Sequence, residues 1–382
     1  MKSSKWLIIM IPVLLLSGCW SKIEVDEQIF VFAIYVDIGK EPGTVEVTIS
    51  SPLPNRMMAG QQAGSSGANG KSYAMVSKSD VTIPDAIRQI QKDLTRRLNF
   101  GHTREIIVGR DYAESGIGDL LDWITKEHSF HISAFLATAP RKAREVAELT
   151  PLYEQMPAEV IRKMNLQRTM FTTSVKEALM AYTSQVGFGT NYMSVRYQPM
   201  PSENEKLQKW AGIQGAALYQ GLKMTGTLEA SEARALAWAT GRLGRQVFSV
   251  TWDEGKSRGG VLLDQLKATR KVKMTPQGPQ FTIHLEGSGD LIYSKDTKRR
   301  SDTERTLMIE KLLASKIEKD LNSAIRMTKK YGSDALKLGL LLEWNYPQYW
   351  EKIREDWPDY YKNQGDVVVK AKIDVTHITN QP

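Results

Sequence analysis

The chain has 382 residues, 41% of them hydrophobic, with 51 Lys and Arg against 43 Asp and Glu. That length and apolar content suffice for a packed core spread over two or three domains, and exclude a disordered polymer. The single cysteine excludes a disulfide framework and any Cys-based zinc or iron–sulfur site, and a mild basic surplus interleaved with acids, as in "KIEKD" (316–320) and "EKIRED" (351–356), gives nucleic-acid binding no support.

The N-terminus reads as an export signal. Lys2 and Lys5 form a short positive region, Trp6 to Leu16 an apolar run, and Ser17 with Gly18 the small residues that precede a cleavage point. At about 1.5 Å per helical residue this run falls short of a hydrocarbon layer of roughly 30 Å, and Pro12 interrupts it, so a transmembrane span is the poorer reading. Leu16, Ser17, Gly18 and Cys19 match the bacterial lipobox, in which the thiol takes a diacylglyceryl group before cleavage ahead of it. Residues 1–18 are therefore expected to be removed, leaving Cys19 as the mature N-terminus, S-diacylglycerol-modified and N-acylated. Two or more acyl chains pass the threshold for stable anchoring, so the chain should lie on a membrane without crossing it. The alternative is an incidental cysteine behind an ordinary export signal. Loss of residues 1–18 removes two lysines and no acid, leaving the remainder mildly basic and open to some attraction by anionic lipid head groups.

Beyond the anchor, "IFVFAIYVD" and "TVEVTISS" predict a hairpin about the turn "IGKEPG". Residues 54–72 are rich in Gly and poor in large apolar side chains, and predict a flexible loop. "SYAMVSK" predicts a strand. A helix follows, capped by Ser79 or Asp80, with Pro84 in its first turn and Ala86, Ile87, Ile90, Leu94 and Leu98 at helical spacing. Then come strand 105–109, helix 111–126, strand 131–139, helix 141–149, and helices near 152–166 and 173–185, the alternation of a mixed α/β (α+β) chain. The Pro-rich polar stretch 198–206 predicts a domain boundary.

In the second half a strand, a tight turn at Gly221 to Lys223, a short strand, a helix capped by Ser231 and a strand from Gln246 to Trp252 precede a hairpin around "PQGP". Ile309, Leu313, Ile317, Leu321, Ile325 and Thr328 then mark one face of a long amphipathic helix over 302–331, with Gly332 in the position that ends it. A short helix near 334–344, an aromatic segment and a final strand, "DVVVKAKIDVTHI", complete the chain. The expected division is 19–200, 201–265 and 266–382.

Few residues carry recognisable chemistry. "SSGANGKS" (65–72) approaches the phosphate-loop pattern but leads into a strand, where no helix N-terminus can converge on phosphate. His128 and His131 are the only close histidine pair and have no third ligand in step, so no metal or other cofactor is expected. No H-E-x-x-H or G-x-S-x-G occurs, and the one cysteine is committed to lipid, so an enzyme has no residues to rest on. The densest aromatic cluster, Trp344 to Tyr361, suits core packing or an exposed protein-binding patch, for which Tyr349, Trp350 and Trp357 are the candidates.

"SGCW" running into "EVDEQIFVFAIYVD", the block "FGHTREIIVG", "GAALYQGLKMTGTLEASEARALAWATG" and "KKYGSDALKLGLLLEWNYPQYWEKIREDW" together resemble the Ger(x)C family, the lipoprotein C subunits of spore germinant receptors. The resemblance spans nearly the whole mature chain in order. It implies a non-enzymatic, multi-domain subunit of three mixed α/β domains, attached by Cys19 to the outer face of the spore inner membrane. There it would assemble with an A subunit and a multi-pass, transporter-like B subunit in the response to nutrient germinants. Two rivals are a lipid-anchored solute-binding protein and a surface hydrolase.

Overall fold

The computed structural model describes residues 24–54, 71–201 and 204–378. The first half supplies β1 (Gln28–Phe30), β2 (Ala33–Ile38), β3 (Val45–Pro52), β4 (Tyr73–Asp80), α1 (Ile83–Lys92), β5 (Arg97–Asn99), β6 (Glu105–Val108), α2 (Arg110–Ser115), α3 (Gly118–Lys126) and β7 (Phe135–Thr138). It continues through α4 (Ala143–Ala147), α5 (Pro157–Leu166), β8 (Thr173–Ser174), α6 (Val175–Thr183) and β9 (Phe188–Met200). The second half supplies β10 (Lys206–Gln220), β11 (Lys223–Glu229), α7 (Ala230–Ala239), β12 (Gln246–Trp252), β13 (Ser257–Thr275), β14 (Gly278–Lys295), α8 (Asp302–Lys330), α9 (Leu338–Asn345), α10 (Pro347–Ile353), α11 (Trp357–Gln364) and β15 (Asp366–Ile378). The architecture is the expected mixed α/β.

Nine strands form one sheet in the order β11-β10-β9-β7-β6-β2-β3-β4, with β8 beside β7. Its centre, β2, β6, β7 and β9, is parallel, and both flanks are antiparallel. Parallel strands need helices on their faces. On one face Tyr35, Ile107 and Met193 pack with Val146 of α4 and Ile161 of α5, and on the other Ile34, Ile106 and Val108 pack with residues of α1, α2 and α3. A second sheet, β12-β13-β14-β15, is antiparallel except for the β14/β15 pair.

Several local expectations change for physical reasons. Thr82, and not Ser79 or Asp80, caps α1, its hydroxyl accepting from the Asp85 backbone N–H at 3.2 Å, while Ser79 and Asp80 still belong to β4. Helix 111–126 is two helices, because Gly116 at φ +126° breaks the run. β9, unanticipated, is a central strand whose first seven residues are all buried and therefore show no apolar–polar alternation. The Pro-rich stretch at 198–206 is a connection within one sheet: β9 and β10 pair from Met200 with Lys206 to Phe188 with Tyr219, so 200/201 lies inside a hairpin. Position 265/266 lies within β13.

The long helix α8 follows its spacing closely. A capping box of Ser301 and Glu304 starts it, and Ile309, Leu313, Ile317, Leu321, Ile325 and Thr328 are all buried. Each buried Ile or Leu contributes about 1.5–3 kcal/mol relative to exposure. The solvent side of α8 is charged, and two half-buried carboxylates that flank its apolar face reach the edge of the second sheet. Glu318 accepts the Ala371 N–H and Glu310 the Val375 N–H, each at 2.8 Å, covering donors that an edge strand otherwise leaves open.

Candidate functional site

Cys19, the residue on which the tether depends, lies outside the described residues, as does 55–70 of the Gly-rich segment. The aromatic segment is fully described. α9, α10 and α11 wrap their rings around the chain between α8 and α9, so that Trp350 is 3% and Trp357 0% exposed. Trp357 stands edge-on to Trp350 with centroids 5.3 Å apart and stacks on Tyr360 at 5.7 Å. These two tryptophans are therefore core residues and not a contact patch; spacing along the sequence shows the rings but not the segment they enclose. Tyr349 is half-buried. The ring left in solvent is Trp344, 75% exposed.

At the centre of the cluster is Asp334, which no motif or spacing in the sequence marks out. Its Oδ1 accepts the Leu338 N–H at 2.9 Å, and its Oδ2 accepts the Gly339 N–H at 2.7 Å and the Trp357 indole N–H at 3.0 Å. It thereby caps α9, whose first residue follows Lys337 in the left-handed region at φ 57°. Burial pushes the Asp334 carboxyl up to about 6, against the lowering effect of those three donors. The preceding Ser333 hydroxyl donates to the Tyr219 carbonyl of β10 at 2.7 Å, so segment 333–339 is pinned to the first sheet on one side and to the aromatic cluster on the other.

Beside this segment the two halves enclose a pocket of about 540 Å³. Phe171, Glu177 and Phe188 come from the first half, and Arg242, Arg270, Lys337, Glu343 and Trp344 from the second. Arg242 pairs with Glu177, and Arg270 donates to the Leu336 carbonyl. Burial pulls the Arg270 and Lys337 cations below their ordinary range, and the like charge of Arg242 adds to the effect at both. Among the described residues no set of three or more His, Cys, Asp or Glu side chains converges as a metal site. No helix among them is long and apolar enough to cross a membrane.

Two family models match successive parts of the chain. Residues 21–195 match the spore germination protein N-terminal domain, and residues 214–379 match the model described as spore germination B3/GerAC like, C-terminal. Spore germination protein KC of Bacillus subtilis (strain 168) is 22% identical over 98% of this chain and 96% of its own length. Spore germination protein YndF of the same organism is 23% identical over 97% and 95%. The crystal structure of the GerBC protein shares the fold, with a TM-score of 0.58 at 18% identity, covering 91% of this chain and 98% of that one. The chain belongs to the GerAC-like family of spore germination proteins.

Proposed function

We propose that this chain is a non-enzymatic subunit of a spore germinant receptor, held by lipid on Cys19 at the outer face of the spore inner membrane and assembled there with A and B subunits. The observation that carries the reading is the collinear match over 21–195 and 214–379, beginning two residues after the lipobox cysteine. The relatives matched over nearly their whole length bear spore germination names. A water-soluble body meets membrane subunits efficiently only if it is confined to their surface, since tethering converts a bimolecular encounter into one governed by local concentration. A lipid on Cys19 would supply that confinement.

The test is Cys19→Ala in spores. Acyl labelling should disappear and nutrient-triggered germination should slow severely, while the chain stays folded. A normal nutrient response from protein recovered in the aqueous fraction contradicts the proposal.

A further inference from the structure

The pocket between the two halves has a charged wall. Its wall carries three cations, Arg242, Arg270 and Lys337, and two carboxylates, Glu177 and Glu343. The buried carboxylates nearest the cations are already engaged. Glu177 uses Oε1 for Arg242 and Oε2 for the Ser174 N–H, and both oxygens of Asp334 accept donors from its own segment and Trp357. The Lys337 side chain makes no hydrogen bond or ion pair among the described residues, and the Arg270 guanidinium spends a single N–H on the Leu336 carbonyl. A half-buried ammonium and guanidinium with spare donors and a like charge beside them are destabilising unless an anion joins them. The same pocket offers an apolar wall of Phe171, Phe188 and Leu340 under the exposed ring of Trp344.

We propose that this pocket binds a small organic monocarboxylate, its carboxylate between Lys337 and Arg270 and its apolar body against Phe171, Phe188 and Trp344. The volume of about 540 Å³ lies within the range of small-molecule sites. A single surplus positive charge on the wall suits a monoanion better than a phosphate dianion. Because residues of both halves line the pocket, occupancy would clamp segment 333–339 against the first sheet. The inference goes beyond the proposed receptor role and is independent of the lipid tether.

The test is calorimetric titration of the purified full chain in detergent with 3-phenylpropionate, its neutral amide, and inorganic phosphate. The carboxylate should bind saturably, the amide and phosphate at least about tenfold more weakly, and Lys337→Gln should weaken the carboxylate about tenfold, the loss of one charge-assisted contact. The Lys337 side chain holds no hydrogen bond among the described residues, and its backbone bonds to Asp334 and Leu341 are kept by Gln, so this variant leaves the protein folded. Equal binding of acid and amide, tighter binding of phosphate, no saturable binding of the acid, or unchanged affinity in Lys337→Gln each overturns the proposal.

Discussion

The indole nitrogen of Trp357 donates a 3.0 Å hydrogen bond to Oδ2 of Asp334, tying the last short helix to a carboxylate that is itself 1% exposed. Asp334→Ala leaves three buried donors unpaired, at roughly 1–3 kcal/mol each, and should cost on the order of 3 kcal/mol or more. Asp334→Asn, whose amide oxygen still accepts, should cost less. Urea unfolding followed by tryptophan fluorescence measures both, and an alanine variant as stable as the parent rules out this role.

The same burial sets a pH dependence. The Asp37 carboxylate accepts the Ala143 and Arg144 N–H groups at 2.7 and 3.1 Å, and burial pushes its carboxyl, like that of Asp334, from 3.8 up to about 6. The folded chain thus holds these protons at a pH where the unfolded chain has released them. The contribution is fully present below 3.8, is lost as pH rises toward about 6, and is constant above. The stability of the parent minus that of Asp37→Asn should therefore fall between pH 4 and 6 in urea titrations at stepped pH. A difference that rises over that window contradicts the assignment.

Gly187 tests the seam between the halves. A Cβ there would lie 2.5 Å from Ser333 Oγ, 2.7 Å from the Asp334 backbone nitrogen and 2.8 Å from the Tyr219 carbonyl oxygen. Two of those atoms are backbone, so Gly187→Ala must displace segment 333–339 and should cost about 1–3 kcal/mol. Gly43→Ala is the comparison, since its Cβ meets nothing within 4 Å and only its positive φ is strained. The denaturation midpoint should drop further for Gly187→Ala.

At the sheet edge, Glu310→Ala with Glu318→Ala frees the amides of Val375 and Ala371. The pair should lose about 1–2 kcal/mol, and these two amides should exchange with solvent faster while the β13/β14 ladder stays protected. Unchanged exchange at both amides contradicts the capping role.

Legibility in the sequence followed the burial pattern. The α8 face could be read because one side of that helix is wet, and the same is true of the alternating β12. β9 hid because its buried stretch carries Thr190, Asn191 and Ser194, polar residues that a core tolerates only when paired. Thr190 meets Thr138 at 2.9 Å, and Asn191 donates to Asn165, which donates to the buried Glu105, each at 2.7 Å. Asp334, Arg270 and Lys337 hid for a related reason: Asp334 meets Trp357, Arg270 meets Leu336, and Lys337 faces a pocket shared with Glu177, relationships that no local spacing records. Trp350 and Trp357 were visible as aromatic residues, but their side of the surface was not.

The most direct test of the tethered-subunit account is intact-mass and N-terminal peptide mass spectrometry of the protein extracted from spore membranes. The account requires a mature chain beginning at Cys19 with diacylglyceryl and N-acyl groups on that residue. A free thiol at Cys19, or a mature N-terminus at any other residue, contradicts it.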